Sequence, residues 1–144
     1  MSRIVNTDSP GKRRSQLMRT AAELIRRLSQ KDQIDDDAKN MLAMLVYCFR
    51  QIDEGIDQSA LAWEKRDYWM KAEAFRQRWG WAGLAADEIA SMLFDDELER
   101  LPQMMVGLLP HFSDIKITKY TRKESLWQNS YEQIMREKLS ADLE

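Results

Sequence analysis

Apolar residues recur at Leu42, Leu45, Phe49, Ile52, Ile56, Ala60, Trp63, Met70 and Ala74. Steps of three, four and seven keep these positions on one side of a helix with 3.6 residues per turn. A second stripe, Leu61, Tyr68, Ala72, Phe75 and Trp79, opens beside the first. The pattern predicts one long helix over residues 38–79, about 60 Å at 1.5 Å per residue. Gly55 lies inside it and is the position where it would bend, since glycine costs roughly 1 kcal/mol against alanine in a helix interior. The phase of Ile52, Ile56, Ala60 and Trp63 nevertheless runs across that glycine. Gly80, flanked by Trp79 and Trp81, is the expected stop.

Other elements follow in chain order. Ser9-Pro10 predicts a helix start, with a capping hydroxyl and a proline at the first helical position. The helix then carries Leu17, Met18, Ala21, Ala22, Leu24, Ile25 and Leu28 on one face. Residues 31–34 form a short connector, and Asp35 caps the long helix with Asp36 and Asp37 in its first turn. So short a link predicts antiparallel neighbours. Leu84, Ala85, Ile89, Met92 and Leu93 suggest a short helix ending at Asp95 and Asp96, and another runs from Leu98 to Leu109 around Pro102. Thr121-x-x-Glu124 reads as a capping box opening a final helix through Leu126, Trp127, Tyr131, Ile134, Met135 and Leu139. Between these, Ile115 and Ile117 alternate with Lys116 and Thr118, the period of a strand. Arg3-Ile4-Val5 is the matching segment, and the two are expected to pair as a minor two-stranded ribbon, within the chain or between two copies.

The chain of 144 residues holds five glycines and three prolines, too few for the turns of a sandwich or barrel. An all-α bundle of five or six helices around one long central helix, in a single domain over residues 1–144, is the fold expected. One cysteine, Cys48, excludes a disulfide framework, and its apolar neighbours mark it as an inert thiol. The first ten residues lack the apolar run of a signal peptide, and no run approaches the roughly 20 residues that span a bilayer. A cytoplasmic location without membrane contact is expected.

Charge changes the picture more than composition does. The net charge is −2, yet residues 9–31 carry seven basic side chains against Glu23 alone, and residues 82–99 carry six acids and no base. Opposite bands suit head-to-tail or intramolecular pairing, or simply solvated helix faces. Lys12, Arg13 and Arg14 crowd the first turn of the first helix, where the dipole prefers anions. With Arg19 and Arg26 they form a candidate phosphate or nucleic-acid site, which Lys65 and Trp69 would extend. Trp63, Trp69, Trp79 and Trp81 are the candidate interface residues, because the long helix has more apolar surface than its neighbours cover.

No catalytic residue, metal ligand or cofactor is assigned. His111, the one histidine, rules out the Glu-x-x-His pairs of di-iron bundles and stands as an ordinary loop residue. Glu54-x-x-Asp57 and Glu64-x-x-Asp67 resemble the paired acidic motifs of all-α nucleotide pyrophosphohydrolases. That resemblance implies magnesium, held in that family between two facing helices. Here both motifs fall on one predicted helix, ten residues apart and out of phase. The function expected is a non-enzymatic helical interaction protein, self-associating or part of a larger assembly. Nucleic-acid or phosphate binding by the first helix is the alternative, and a magnesium-dependent pyrophosphohydrolase a lesser one.

Overall fold

The computed structural model describes residues 9–143. Within them the chain forms five α-helices: α1 (Pro10–Ser29), α2 (Asp36–Glu64), α3 (Trp69–Phe94), α4 (Leu101–Leu108) and α5 (Ser130–Asp142). Single 3₁₀ turns precede α4, follow it and precede α5. No strand is present among the described residues. The expected all-α bundle is therefore the observed class.

Both expected N-terminal caps are in place. The Ser9 hydroxyl accepts from the Lys12 amide at 3.1 Å, with Pro10 in the first turn. The Asp35 carboxylate accepts from the Ala38 amide at 2.8 Å, which fixes the start of α2. The side of α2 that carries Leu42, Leu45, Phe49, Ile52, Ile56 and Ala60 is buried, and it meets α1, α3 and α5. Leu24 of α1, Ile89 and Met92 of α3, and Ile134 of α5 close the same core. Cys48 is buried within it, and loss of hydration pushes its thiol up to about 12, so it is a packing group.

The long helix is two helices. Its first part continues unbroken through Gly55 and ends at Glu64; the chain reverses over residues 65–68 and returns as α3, packed along α2. A Schellman motif makes the reversal: the Tyr68 amide donates to the Trp63 carbonyl at 2.9 Å and the Asp67 amide to that of Glu64 at 3.0 Å. Asp67 takes the left-handed conformation this requires, with φ of 64°. Aspartate tolerates that region better than most residues with a Cβ, so the stop carries no glycine to mark it. Beyond the turn the apolar register resets: Ala72 faces inward, while Met70 and Ala74 face solvent.

Gly80 likewise ends nothing. It lies inside α3, which continues to Phe94 and finishes at a second left-handed aspartate, Asp96 with φ of 53°. Gly83 has a packing reason to be glycine: a Cβ there would lie 2.9 Å from the Asp53 carboxylate of α2.

The C-terminal segment departs further from expectation. Residues 115–120 form no strand; they lie as an irregular strap across α1, with Ile115 and Ile117 packed on the core. The proposed partner, Arg3-Ile4-Val5, lies outside the described residues. Thr121 caps no helix. Its amide and hydroxyl both go to Glu23, and α5 begins nine residues later, behind the left-handed Asn129. Trp127 therefore sits before α5, fully buried, with its indole N–H donating to Asp37 at 2.9 Å.

Candidate interaction surface

The basic residues of α1 are drawn into the fold. Arg13 donates to the Gln51 side chain at 2.5 Å. The Arg14 guanidinium lies over the rings of Phe75 and Trp79, 5.1 and 5.2 Å from their centroids. Burial, with Arg78 adding to it, lowers the pKa of Arg14. Arg19 pairs with Glu23 at 2.9 Å and donates to the Lys119 carbonyl at 3.0 Å. Arg26 donates to the Ile117 carbonyl. The positive face of α1 thus receives the backbone carbonyls of the strap, and Lys12 too takes part in the fold's interactions.

Glu23 is the centre of that arrangement. It is 1% exposed and accepts from the Thr121 hydroxyl at 2.6 Å, the Thr121 amide at 2.8 Å, the Arg122 amide at 3.0 Å and Arg19. Burial alone would raise its pKa; the four donors outweigh it and hold the carboxyl down to about 2. Arg122 reaches back to Thr20 Oγ1 at 2.9 Å and the Gln16 carbonyl at 3.1 Å, closing the clamp.

Three of the four candidate tryptophans are partly buried. Trp81 meets Phe49 edge-on, with centroids 5.4 Å apart, and stacks on His111 at 4.1 Å with the planes 9° apart. Trp79 lies 6.0 Å from Trp81 and carries Arg14. Trp63 packs against Phe75 at 4.8 Å and under the Lys71 ammonium. Trp69 differs: it is 58% exposed at the tip of the α2–α3 hairpin, beside Met70 at 88% and the exposed Tyr68 and Leu61.

A second exposed apolar region lies between α3 and α4. Leu84, Trp81, Met104, Leu108 and His111 line a groove of about 390 Å³ whose rim carries Glu88 and Arg100. Leu84 is 72% exposed, and Val106 and Leu109 lie outward on and beyond α4. Arg100 bridges Glu88 at 3.3 Å and Glu97 at 3.1 Å. Burial against Trp81 lowers the pKa of His111.

The two acidic motifs do not face one another. Glu54, Asp57 and Glu64 share α2, and Asp67 is in the turn. Arg76 of α3 takes the Glu64 carboxylate through two donors, at 2.8 and 3.0 Å, and holds its pKa down. Among the described residues no group of three or more His, Cys, Asp or Glu is placed to hold a metal ion. Nor is any described helix long and apolar enough to cross a membrane.

Sequence reasoning missed the part played by Glu23. The signal for Glu23 was present: it is the lone acid in a basic helix, between Ala22 and Leu24 on the apolar side. No protein-family model, curated protein or solved structure matches this chain.

Proposed function

We propose that this chain is a helical assembly protein, without catalytic activity, that self-associates through apolar surface on the α2–α3 hairpin and the adjoining α3–α4 groove. The carrying observation is the exposure of Trp69 and Met70 at the hairpin tip, together with Leu84 on the same helix. Exposed clusters of large apolar side chains mark interaction sites, and tryptophan and methionine are enriched in them. The buried, unreactive Cys48 fits a reducing, cytoplasmic setting for such a role.

Phosphate or nucleic-acid binding by α1 draws less support, because Arg13, Arg14, Arg19 and Arg26 already serve partners within the chain. Multi-angle light scattering and native mass measurement across micromolar concentrations test self-association. A concentration-dependent oligomer is expected. A strict monomer up to about 100 μM, at the weak end of specific association, would refute it.

A further inference from the structure

The strap is as basic as the helix it crosses. Residues 116–123 hold Lys116, Lys119, Arg122 and Lys123 and no acid, while residues 19–27 of α1 hold Arg19, Arg26 and Arg27 against Glu23. The fold brings these two runs together. Arg19 donates to the Lys119 carbonyl, Arg26 to that of Ile117 and Arg27, at 3.5 Å, to that of Arg122. Arg27 also lies over the Tyr120 ring, 3.9 Å from its centroid. A carbonyl accepts a hydrogen bond but has no net charge, so these contacts hold the strap without neutralising the arginines.

The acids nearby do not balance them. Glu23 is buried and shared between Arg19 and Arg122, at 2.9 and 3.7 Å. Arg26, Arg27, Lys116, Lys119 and Lys123 form no ion pair among the described residues. Asp114 and Glu124 flank the strap, and with them counted seven cations still stand against three carboxylates. The acidic border is the α1–α2 connector, with Asp32, Asp35, Asp36 and Asp37, where Lys31 bridges Asp35 and Asp37. Lys116, Lys119 and Lys123 are exposed, and among the described residues their ammonium groups donate to no protein group. Cations held so close repel one another, and a polyanion laid across them relieves that repulsion and releases its own condensed counterions.

We infer that the strap, with the α1 arginines beneath it, binds the phosphodiester backbone of a nucleic acid. Lys116, Lys119 and Lys123 are the outermost contacts, and Arg26 and Arg27 add their charge from below. Contacts of this kind position a strand and carry no sequence information. An anionic membrane is the poorer fit, because interfacial binding also needs an apolar face to insert. Ile115 and Ile117 pack on the core instead. The large apolar side chains exposed over residues 113–129 are Tyr120 and Leu126, and the Tyr120 hydroxyl is tied to Gln30 at 2.8 Å. This surface shares no residue with the hairpin tip or the α3–α4 groove, so it serves a monomer and an oligomer alike.

Fluorescence anisotropy of a labelled, mixed-sequence single strand provides the test, with circular dichroism confirming that each variant keeps its helix content. Contact with three or four phosphates makes the wild type bind about twentyfold to fiftyfold more weakly at 200 mM salt than at 50 mM. Joint Lys116→Ala, Lys119→Ala and Lys123→Ala weakens binding about tenfold or more at low salt and flattens the salt dependence by about 0.7 per lysine lost. Arginine at the same three positions keeps the binding. Alanine at Lys12, Arg13 and Arg14 removes as much charge from the start of α1 and leaves the binding unchanged. A wild type that does not bind at low salt overturns the inference, as does a strap-lysine variant that binds as wild type does. Equal losses in the two alanine triples also overturn it, since they report net charge alone. Vesicles of phosphatidylcholine and phosphatidylserine are the second probe, and no lysine-dependent binding to them is expected. Wild type that takes the vesicles through these lysines, and not the strand, would assign the surface to a membrane instead.

Discussion

Replacing Glu23 by alanine tests whether one buried carboxylate holds the C-terminal strap on α1. The carboxylate serves the Thr121 amide and hydroxyl, the Arg122 amide and the Arg19 guanidinium, at 2.6 to 3.0 Å. Hydrogen bonds to a charged group contribute about 1.5–3 kcal/mol each, though a shared acceptor makes them far from additive. Losing a paired buried charge costs on the order of 3–5 kcal/mol, so Glu23→Ala is expected to lower stability by about that much. Glu23→Gln keeps one acceptor and loses the charge, and is expected to cost about half. The pH dependence gives an independent reading. The carboxyl titrates near 2 in the fold against 4.5 ordinarily. Its pKa is depressed, so its contribution is complete above 4.5 and is lost as pH falls from there toward 2. That linkage corresponds to about 3 kcal/mol at neutral pH. Urea unfolding followed by tryptophan fluorescence at pH 7 and pH 3 measures both effects. Wild type should exceed Glu23→Gln clearly at pH 7, and the gap should shrink at pH 3. Amide exchange at residues 121 and 122 should accelerate in both variants. A Glu23→Ala protein within about 1 kcal/mol of wild type, with those amides unchanged, would refute the clamp.

Gly55 and Gly80 lie inside helices with open space where a Cβ would go. Gly55→Ala and Gly80→Ala should each stabilise by about 0.5–1 kcal/mol in thermal or urea unfolding, whereas a loss at either would mean that the glycine is needed. Asp67→Gly, which relieves a left-handed residue with a Cβ, should stabilise by up to about 1 kcal/mol in the same assay. Joint replacement of Lys12, Arg13 and Arg14 by alanine should cost about 1–2 kcal/mol, chiefly the ring contacts of Arg14. It should leave fluorescence anisotropy of labelled single-stranded DNA unchanged; a steep, salt-sensitive loss of binding would instead revive the nucleic-acid reading.

The helices were legible wherever periodicity and polar caps agreed. Ser9, Asp35 and the stripe from Leu42 to Ala60 behave as their spacing implies, because burial along a regular helix depends on spacing alone. The ends were hidden by an exchange of roles. Glycine normally marks the left-handed residue that closes a helix. In this chain Asp67, Asp96 and Asn129 take positive φ, and no described glycine does. A reader who relies on glycine therefore runs α2 into its own return helix and stops α3 near its middle. The error carries over to the surface: Met70, assigned to the apolar stripe of one continuous helix, lies beside a turn whose reset of phase turns it outward. The strap was misread for a different reason. Alternating Ile115 and Ile117 do pack inward, but the backbone partners of this segment are arginines of α1 nearly a hundred residues earlier, and local pattern cannot register them.

That separation bears on the order in which the molecule assembles. Glu23 and Thr121 are 98 positions apart, so their contact closes a loop spanning most of the chain. Such long closures form late, since the chain gives up the entropy of the loop before any contact repays it. Until that closure is made, Glu23 has no Thr121 or Arg122 donor to accept from. Docking of the strap is therefore the expected last step of folding. A lesion in residues 121 and 122 is in turn felt at the opposite end of the sequence, where Glu23 loses its donors.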